Sequence, residues 1–226
     1  MVNALKLAFA IAGKDIRVEL RTRTSLLSAA VFAVLVLLVF NFGRDPTAVA
    51  TIDLAPTILW VTVSFASVVA MNRAFTVERE NAAFDGLLLA PVPRESIYLG
   101  KYLANLAFVL VVEAIALPLF ILFFNLDIVQ ALPGIILTLL LATAGFVAAG
   151  TVFSAMVVKT RFAELMLPLL LLPFMVPPLI FAVKTTAPLF AGRPLSSVVD
   201  GLRFLLVFDI CIITVSVLLF TAVVDE

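Results

Sequence analysis

The stretch LPGIILTLLLATAGFVAAGTVFSAMVV, residues 132–158, decides the fold class, because it runs its whole length without a charged side chain. A helix needs about 20 mainly apolar residues to cross the roughly 30 Å hydrocarbon core of a bilayer. The apolar residues here do not alternate with polar ones, as they would in the strands of a membrane barrel. The stretch therefore predicts a membrane-spanning helix.

Five further segments are long and apolar enough for the same assignment. The six predicted spans lie at about 25–42, 53–74, 99–124, 132–158, 163–183 and 202–224. The chain of 226 residues is 64% hydrophobic and 13% charged, whereas soluble domains average about 45–50% apolar and about 25% charged residues. We expect an all-α integral membrane protein, folded as a single transmembrane domain over residues 1–226.

Charge and residue types exclude several classes of function. The 15 basic and 15 acidic residues balance, so the chain lacks the concentrated basic surface that a nucleic-acid partner requires. It has no histidine and a single cysteine, Cys211, and we therefore expect no catalytic triad built on histidine, no metal site and no directly bound cofactor. Neither G-x-x-x-x-G-K-[ST] nor G-x-G-x-x-G occurs. Any ATP must be bound by another chain, and we expect no enzyme activity in this one.

The basic residues predict the orientation, because cytoplasmic connections of membrane proteins are enriched in Lys and Arg. With a cytoplasmic N-terminus, eleven of the fifteen basic residues fall inside: Lys6, Lys14, Arg17, Arg21, Arg23, Arg73, Arg79, Arg94, Lys101, Lys159 and Arg161. Outside remain Arg44, Lys184, Arg193 and Arg203. Six spans then place both termini in the cytoplasm, in a membrane of the cytoplasmic type.

Residues 1–24 predict an amphipathic helix. One apolar stripe recurs at helical spacing, consisting of Leu5, Phe9, Ala12, Ile16 and Leu20. Three basic residues, Lys14, Arg17 and Arg21, lie off this stripe. The pattern favours a helix in the cytoplasmic interface with its basic face toward anionic headgroups. A simple extension of the first span is the alternative.

The longest polar interval, FTVERENAAFDGLLLAPVPRESIYLGK at residues 75–101, falls between the second and third spans. The second helix is expected to continue past the membrane. Gly86 then permits a turn, and Pro91 and Pro93 end helical continuity. The loop, residues 75–98, would present Leu87 to Leu89 as an apolar knob suited to a groove on a soluble partner. A solvated loop with two prolines is the alternative.

Two carboxylates fall inside predicted spans. Glu113 lies near the middle of the third span, and Asp209 lies seven residues into the sixth. Because an ionised side chain in lipid is costly, each should face the protein interior, pair with a polar group or be protonated. A role in a substrate path or gate and a purely structural hydrogen bond between helices remain open for both.

Prolines and glycines mark three further features. The fifth span contains four prolines, Pro168, Pro173, Pro177 and Pro178, which predict either a hinge or a static kink. Gly145 and Gly150 predict close helix approach in the fourth span. The connection at 184–201 predicts an ordered turn that could serve as a short lid.

Several of these motifs together resemble a known family. KDIRVELRTRT near the N-terminus, VFNFG closing the first span, LAPTILWV opening the second, the polar interval, and LPLLLLPFMVPPLIFAV in the fifth span are similar to the CcmB-like membrane component of the cytochrome c maturation haem exporter. That family belongs to the ABC-2 type of permeases. The resemblance covers nearly the whole chain in order and spacing.

The resemblance implies a six-helix ABC-2 permease that pairs with an ABC ATPase subunit (CcmA-like) and a second copy of itself. It also implies a haem-handling membrane subunit (CcmC-like), a small subunit (CcmD-like) and a haem chaperone, with haem as a possible substrate of the complex. The loop at 75–98 would couple to the ATPase, and residues 1–24 would form the interface helix. The positions that match the coupling motif are Glu78, Glu80, Asp85, Gly86, Leu87, Pro91 and Pro93.

Two roles suit this resemblance. The first is transport of haem, and the second is a mechanical role in which ATP hydrolysis rearranges the complex and releases a haem-loaded chaperone. An ABC-2 exporter for another lipid-like or hydrophobic substrate is the main alternative function. A membrane scaffold that transports nothing is a third, and it predicts that charge reversals at Glu78, Glu80 and Asp85 leave function intact.

Overall fold

The computed structural model describes residues 2–45, 47, 49–80, 86–87, 89–157 and 162–224, with side chains described except at 2–3, 73–80, 163–164 and 223–224. Seven α-helices are present in this part of the chain. They are α1 (Val2–Thr22), α2 (Thr24–Gly43), α3 (Thr51–Glu80), α4 (Arg94–Phe124), α5 (Leu132–Val157), α6 (Ala163–Phe190) and α7 (Val199–Val224). A short 3-10 helix, Leu195–Val198, precedes α7. The predicted all-α class is confirmed.

Helices α2 to α7 carry the predicted spans. Each is long and apolar enough to cross a membrane, over Thr24–Gly43, Thr51–Asn72, Arg94–Phe124, Leu132–Val157, Leu165–Phe190 and Leu195–Ala222. The chain is thus a multi-pass membrane protein. Helix α4 begins at one end of the bundle, and α5 and α7 finish at that same end. We call it the α1 end.

The prediction for residues 184–201 was wrong over most of its length. Helix α6 continues through Pro188 to Phe190, and only Ala191–Pro194 separate it from the 3-10 helix. Leu189 and Phe190 are buried in the core, so packing overrides the helix-breaking tendency of proline. The predicted ordered turn is present, because Gly192 adopts φ 76° and its N–H donates to the Leu189 carbonyl at 3.0 Å.

The buried side chains form two large apolar clusters along the bundle. The cluster nearer the α1 end includes Tyr98, Phe146 and Phe220. The other includes Trp60, Phe120 and Phe190. Helix α5 contributes to both clusters, packs against α4, α6 and α7, and is the most buried of the six candidate spans.

The close approaches predicted for α5 are present. A Cβ added at Gly150 would lie 2.9 Å from the Met71 sulfur in α3, and one at Gly145 would lie 2.9 Å from the Phe208 ring in α7. A larger residue at either position would push a neighbouring helix or side chain away. Both glycines therefore serve packing.

Helix α1 is separate from the first span, which contradicts the alternative of a simple extension. Arg23 breaks the helix between Thr22 and Thr24 and adopts φ 56°, in the left-handed region. Helix α1 turns back and packs chiefly along α4, where Ala12 joins Ala104 and Phe108 in a small apolar cluster. This arrangement brings α1 beside the start of α4, where the predicted polar interval ends.

Candidate functional site

Helix α1 crosses α4 at Gly100. A Cβ added at this glycine would lie 2.7 Å from the Ile11 Cβ and 2.9 Å from the Ala8 carbonyl oxygen. Real Cβ atoms do not tolerate such contacts, so only glycine permits this approach. The buried face of α1 consists of Ala8, Ile11, Ala12 and Glu19, while three members of the predicted stripe, Leu5, Phe9 and Leu20, remain exposed.

A buried ion pair follows the glycine. The Lys101 ammonium lies 2.8 Å from a carboxylate oxygen of Asp15, and the two side chains are only 4% and 11% exposed. Lys14, which is half exposed, approaches the same carboxylate at 3.1 Å. The charge of Asp15 is therefore neutralised inside the protein, and the pair ties α1 to the start of α4.

The second acid of α1 caps the next helix. Buried Glu19 accepts hydrogen bonds from the Ser25 N–H at 2.8 Å, the Ser25 hydroxyl at 2.8 Å and the Leu26 N–H at 3.0 Å. These N–H groups belong to the first turn of α2 and have no partner within that helix. A carboxylate also interacts favourably with the positive end of the helix dipole. Glu19 thus fixes α1 against α2.

We call the set formed by Asp15, Glu19, Gly100 and Lys101 the α1 junction. Its three contacts bind one helix to the beginnings of two membrane-spanning helices. The predicted basic residues lie outside these contacts on the exposed side: Arg17 and Arg21 extend outward, and Lys14 shares Asp15 with Lys101. The junction leaves α1 fixed in position with a basic outer surface.

The predicted coupling loop is described only in part. The side chains of Glu78 and Glu80, and all of Asp85, lie outside the described residues. Gly86 is exposed, and a Cβ there would meet nothing within 4 Å. Pro93 directly precedes α4, and its carbonyl accepts the Ser96 N–H at 3.0 Å.

The predicted apolar knob divides into two parts. Leu87 packs against the cluster near the α1 end, and Leu89 is 89% exposed. Leu88 lies outside the described residues. The turn that carries the knob is held by a hydrogen bond from the Ala90 N–H to the Leu87 carbonyl at 3.3 Å, and exposed Pro91 follows it. Leu87 fixes this segment to the bundle, whereas Leu89 points away from it.

Both predicted intramembrane carboxylates face the protein interior. Glu113 of α4 accepts a hydrogen bond from the Thr143 hydroxyl of α5. Asp209 of α7 lies against Gly145, whose added Cβ would meet its Oδ1. Within the described residues this Oδ1 has no hydrogen-bond partner. The two carboxylates lie where the two apolar clusters meet along α4, α5 and α7.

Other polar contacts between helices were not predicted. The Asn105 amide donates to the Thr151 hydroxyl at 3.1 Å, and the Tyr98 hydroxyl donates to the Ala148 carbonyl at 3.1 Å. Both join α4 to α5. Such contacts stabilise helix association in membranes, and together with the Glu113–Thr143 hydrogen bond they give three hydrogen bonds between α4 and α5.

An apolar groove of about 420 Å³ lies between α3 and α6. Its walls include Trp60, Phe65, Met175 and Leu179, and Lys184 lies at one end. The Trp60 indole N–H donates to the Thr186 hydroxyl at 3.0 Å behind the groove. The groove is lined by apolar surface with Lys184 as the single cation among its lining residues. It could hold an apolar molecule, but its lining does not form a catalytic site.

The four prolines predicted to form a hinge or a kink all lie in α6, which is one continuous helix over Ala163–Phe190. Pro178 is buried, Pro168 and Pro177 are half-buried, and Pro173 is exposed. A hinge or kink at these positions, including Pro173, stays a prediction. Over the described residues, no three His, Cys, Asp or Glu side chains are close enough to hold a metal ion.

Comparison with known proteins shows which family the chain belongs to. The profile of the family described as CcmB protein matches residues 6–225. The chain belongs to the CcmB family. Two relatives of this CcmB chain named "Heme exporter protein B" are 30% identical: that of Paracoccus denitrificans over 82% of this chain and 85% of its own length, and that of Rhodobacter capsulatus over 77% and 80%. The protein of the same name from Bradyrhizobium diazoefficiens is 29% identical over 81% and 82%.

Sequence reasoning on this CcmB chain missed the α1 junction. The motif LGK at residues 99–101 carried the signal, since a glycine followed by a lysine at the start of a span indicates close approach and a buried cation. Asp15 and Glu19 are four residues apart, which places them on one helix face. Several basic residues lie near these two acids in the sequence, and nothing in the local pattern identifies Lys101 as the partner of Asp15.

Proposed function

We propose that this CcmB-family chain is the permease subunit of an ABC-type complex that acts in cytochrome c maturation. A partner ATPase subunit hydrolyses ATP, and the membrane subunit uses that energy for haem export or for the release of a haem-loaded chaperone. The complex contains a second permease copy, a haem-handling membrane subunit, a small subunit and the haem chaperone. It lies in the bacterial inner membrane with both termini cytoplasmic.

The observation that carries the proposal is the family match over residues 6–225, together with relatives named for haem export. Two features of the sequence support an ATPase partner. The chain has no nucleotide-binding motif of its own. The segment around Gly86 lies at the end of the bundle where most of the chain's basic residues are found, which is the expected cytoplasmic end. In the proposal this segment receives the movement of the ATPase.

The α1 junction gives a route for that movement. The loop leads directly into α4 at Arg94, and Lys101 lies two turns later in the same helix. A displacement of the start of α4 would be passed to α1 through Asp15 and from there to α2 through Glu19. The predicted coupling residues and the junction thus form one mechanical unit in this proposal.

A second candidate is an ABC-2 exporter for another lipid-like or hydrophobic substrate. The apolar groove between α3 and α6 favours it, because its volume of about 420 Å³ and its apolar walls suit a hydrocarbon chain. Both candidates use a partner ATPase. They differ in whether loss of the chain stops cytochrome c assembly.

The first test is a gentle purification of the tagged chain from its native membrane, with mass spectrometry of the proteins that accompany it. Wild type is compared with Gly86→Arg and with the matched control Gly43→Arg. An added side chain has open space at both glycines, and Gly43 lies at the opposite end of the bundle. We expect an ATPase together with haem-handling proteins from wild type and from the control, and loss of the ATPase alone from Gly86→Arg.

The other outcomes separate the alternatives. An ATPase without any cytochrome-assembly protein would favour the general exporter. Absence of an ATPase from the wild-type preparation would contradict both transport proposals and leave the membrane scaffold. Retention of the ATPase by Gly86→Arg would show that this segment is not part of the contact with the ATPase. The proposal that the chain belongs to such a complex would still be supported.

A further inference from the structure

The outer surface of α1 has an unbalanced charge that comes from the way its acids are used. Residues 4–24 contain two acids, Asp15 and Glu19. Asp15 pairs with Lys101, and Glu19 caps α2, so within this described segment both acids are turned inward. The basic side chains of the same segment lie on its exposed side: Lys6, Lys14, Arg17, Arg21 and Arg23. The surface that remains is cationic.

An exposed apolar stripe runs beside these cations. Leu5, Phe9 and Leu20 are each about half exposed or more, and Phe9 reaches 64%. They do not contribute to the contact with α4, which uses Ala8, Ile11 and Ala12. A soluble surface would not keep such a stripe next to a line of cations without a partner.

The position of α1 indicates which partner this is. Only Arg23 separates α1 from the first candidate span, which begins at Thr24. Along its length α1 packs beside residues 100–108 of α4, which is itself a candidate span from Arg94. Helix α1 therefore lies at the level where lipid headgroups meet acyl chains.

We propose that the outer surface of α1 is a docking surface for anionic lipid headgroups of the adjoining leaflet. The stripe of Leu5, Phe9 and Leu20 enters the acyl-chain boundary, and the basic residues, Lys6, Arg17 and Arg21 foremost, contact headgroup phosphates. The inward use of Asp15 and Glu19 makes this surface selective, because no exposed carboxylate in residues 4–24 repels the lipid. The inference does not depend on the transported substrate or on the ATPase.

The test places a fluorophore on the full-length chain in lipid nanodiscs. Phe9→Cys is labelled with bimane in a Cys211→Ser background. The nanodiscs contain phosphatidylcholine with increasing mole fractions of acyl-chain doxyl-labelled phosphatidylglycerol or, separately, doxyl-labelled phosphatidylcholine. Because a basic residue near an anionic surface contributes roughly fivefold in local lipid preference, we expect the mole fraction for half-quenching to be about fivefold or more lower for phosphatidylglycerol.

Two variants of equal charge change provide the comparison. The triple variant Lys6→Gln, Arg17→Gln, Arg21→Gln should raise the half-quenching mole fraction of phosphatidylglycerol to that of phosphatidylcholine. The triple variant Lys184→Gln, Arg193→Gln, Arg203→Gln, which changes exposed cations at the opposite end of the bundle, should keep the preference. In the unmodified background, about 1 M salt should abolish it, since the Debye length is then only about 3 Å.

Equal half-quenching by the two lipids in the original background would overturn the proposal and assign the basic surface to an acidic protein partner. Persistence of the preference both in the first triple variant and in high salt would also overturn it. The salt measurement keeps the test decisive even if the first triple variant fails to fold.

Discussion

At the α1 junction, the buried carboxylates of Asp15 and Glu19 meet a lysine ammonium and the first turn of α2. In the membrane interior, the carboxylates of Glu113 and Asp209 meet a threonine hydroxyl and the backbone of α5. Both regions hold acids away from water. Only the junction provides the acids with opposite charge or with several N–H donors.

The difference indicates two kinds of helix contact. Loss of one partner at the junction leaves a buried charge without compensation, which is costly. Glu113 makes a single hydrogen bond between transmembrane helices, of a kind that contributes little on average, and Asp209 lies against the backbone of α5. We therefore expect the junction to determine where α1, α2 and α4 sit, and the interior contacts to be more tolerant of substitution.

The largest effect is expected from Lys101→Met, which removes the buried partner of Asp15 and leaves only half-exposed Lys14 beside that carboxylate. It should lower the free energy of unfolding by about 3–5 kcal/mol, measured by SDS titration of the purified chain in detergent micelles. Adding Asp15→Asn should recover part of this loss. Arg203→Met serves as control, because its ion pair with Asp200 is exposed, and it should change little. Equal losses in Lys101→Met and Arg203→Met would show that the buried pair is not stabilising.

Gly100→Ala should have the next largest effect, with a loss of about 1–3 kcal/mol. Its new Cβ would meet the Cβ of Ile11 and a backbone oxygen of Ala8, neither of which can move unless α1 shifts. At Gly145 the neighbours are side chains of α7, which can rotate, so Gly145→Ala should cost less. Gly13→Ala, with open space around it, is the control and should not destabilise. The reverse order for Gly100→Ala and Gly145→Ala in the same SDS titration would mean that α1 adjusts freely on α4.

Glu19→Ala removes the acceptor for the first turn of α2 and should cost about 1–2 kcal/mol. Glu19→Gln retains one oxygen acceptor and should cost less. Hydrogen exchange at the Ser25 and Leu26 amides gives the local measurement, and both should exchange faster in Glu19→Ala. Unchanged protection of these amides would show that water or another group satisfies them equally well.

The smallest effect is expected from Glu113→Gln. The glutamine oxygen can still accept the hydrogen bond from Thr143, so the free energy of unfolding should change by less than about 1 kcal/mol. Thr143→Val, which removes the donor, provides the matched test from the other side. A loss as large as that of Lys101→Met would contradict the comparison and indicate that the charge of Glu113 itself is required.

Most of the fold can be predicted from the sequence, because long apolar runs leave few alternatives to helices in a membrane. The helix ends are harder to predict. Pro188 and Lys184 indicated a connection, but the burial of Leu189 and Phe190 extends α6 past them. Local signals cannot show how much apolar surface a helix end will bury against its neighbours.

The candidate site was predictable only where its contacts are local. Glu113 and Asp209 could be placed in the interior, since a charged residue in an apolar run has few other places to go. The pairing of Asp15 with Lys101 joins distant parts of the chain, and neighbouring cations such as Lys14 offered equally good partners. Only the crossing of α1 over α4 decides between them.

Trp60, the single tryptophan of the chain, has an optical consequence. Its indole is buried, donates a hydrogen bond from α3 to Thr186 of α6, and forms part of the wall of the apolar groove. The ultraviolet emission of the unlabelled protein therefore comes chiefly from one place. Separation of α3 from α6, or entry of a hydrophobic molecule into the groove, would change the wavelength and intensity of that emission without any engineered dye.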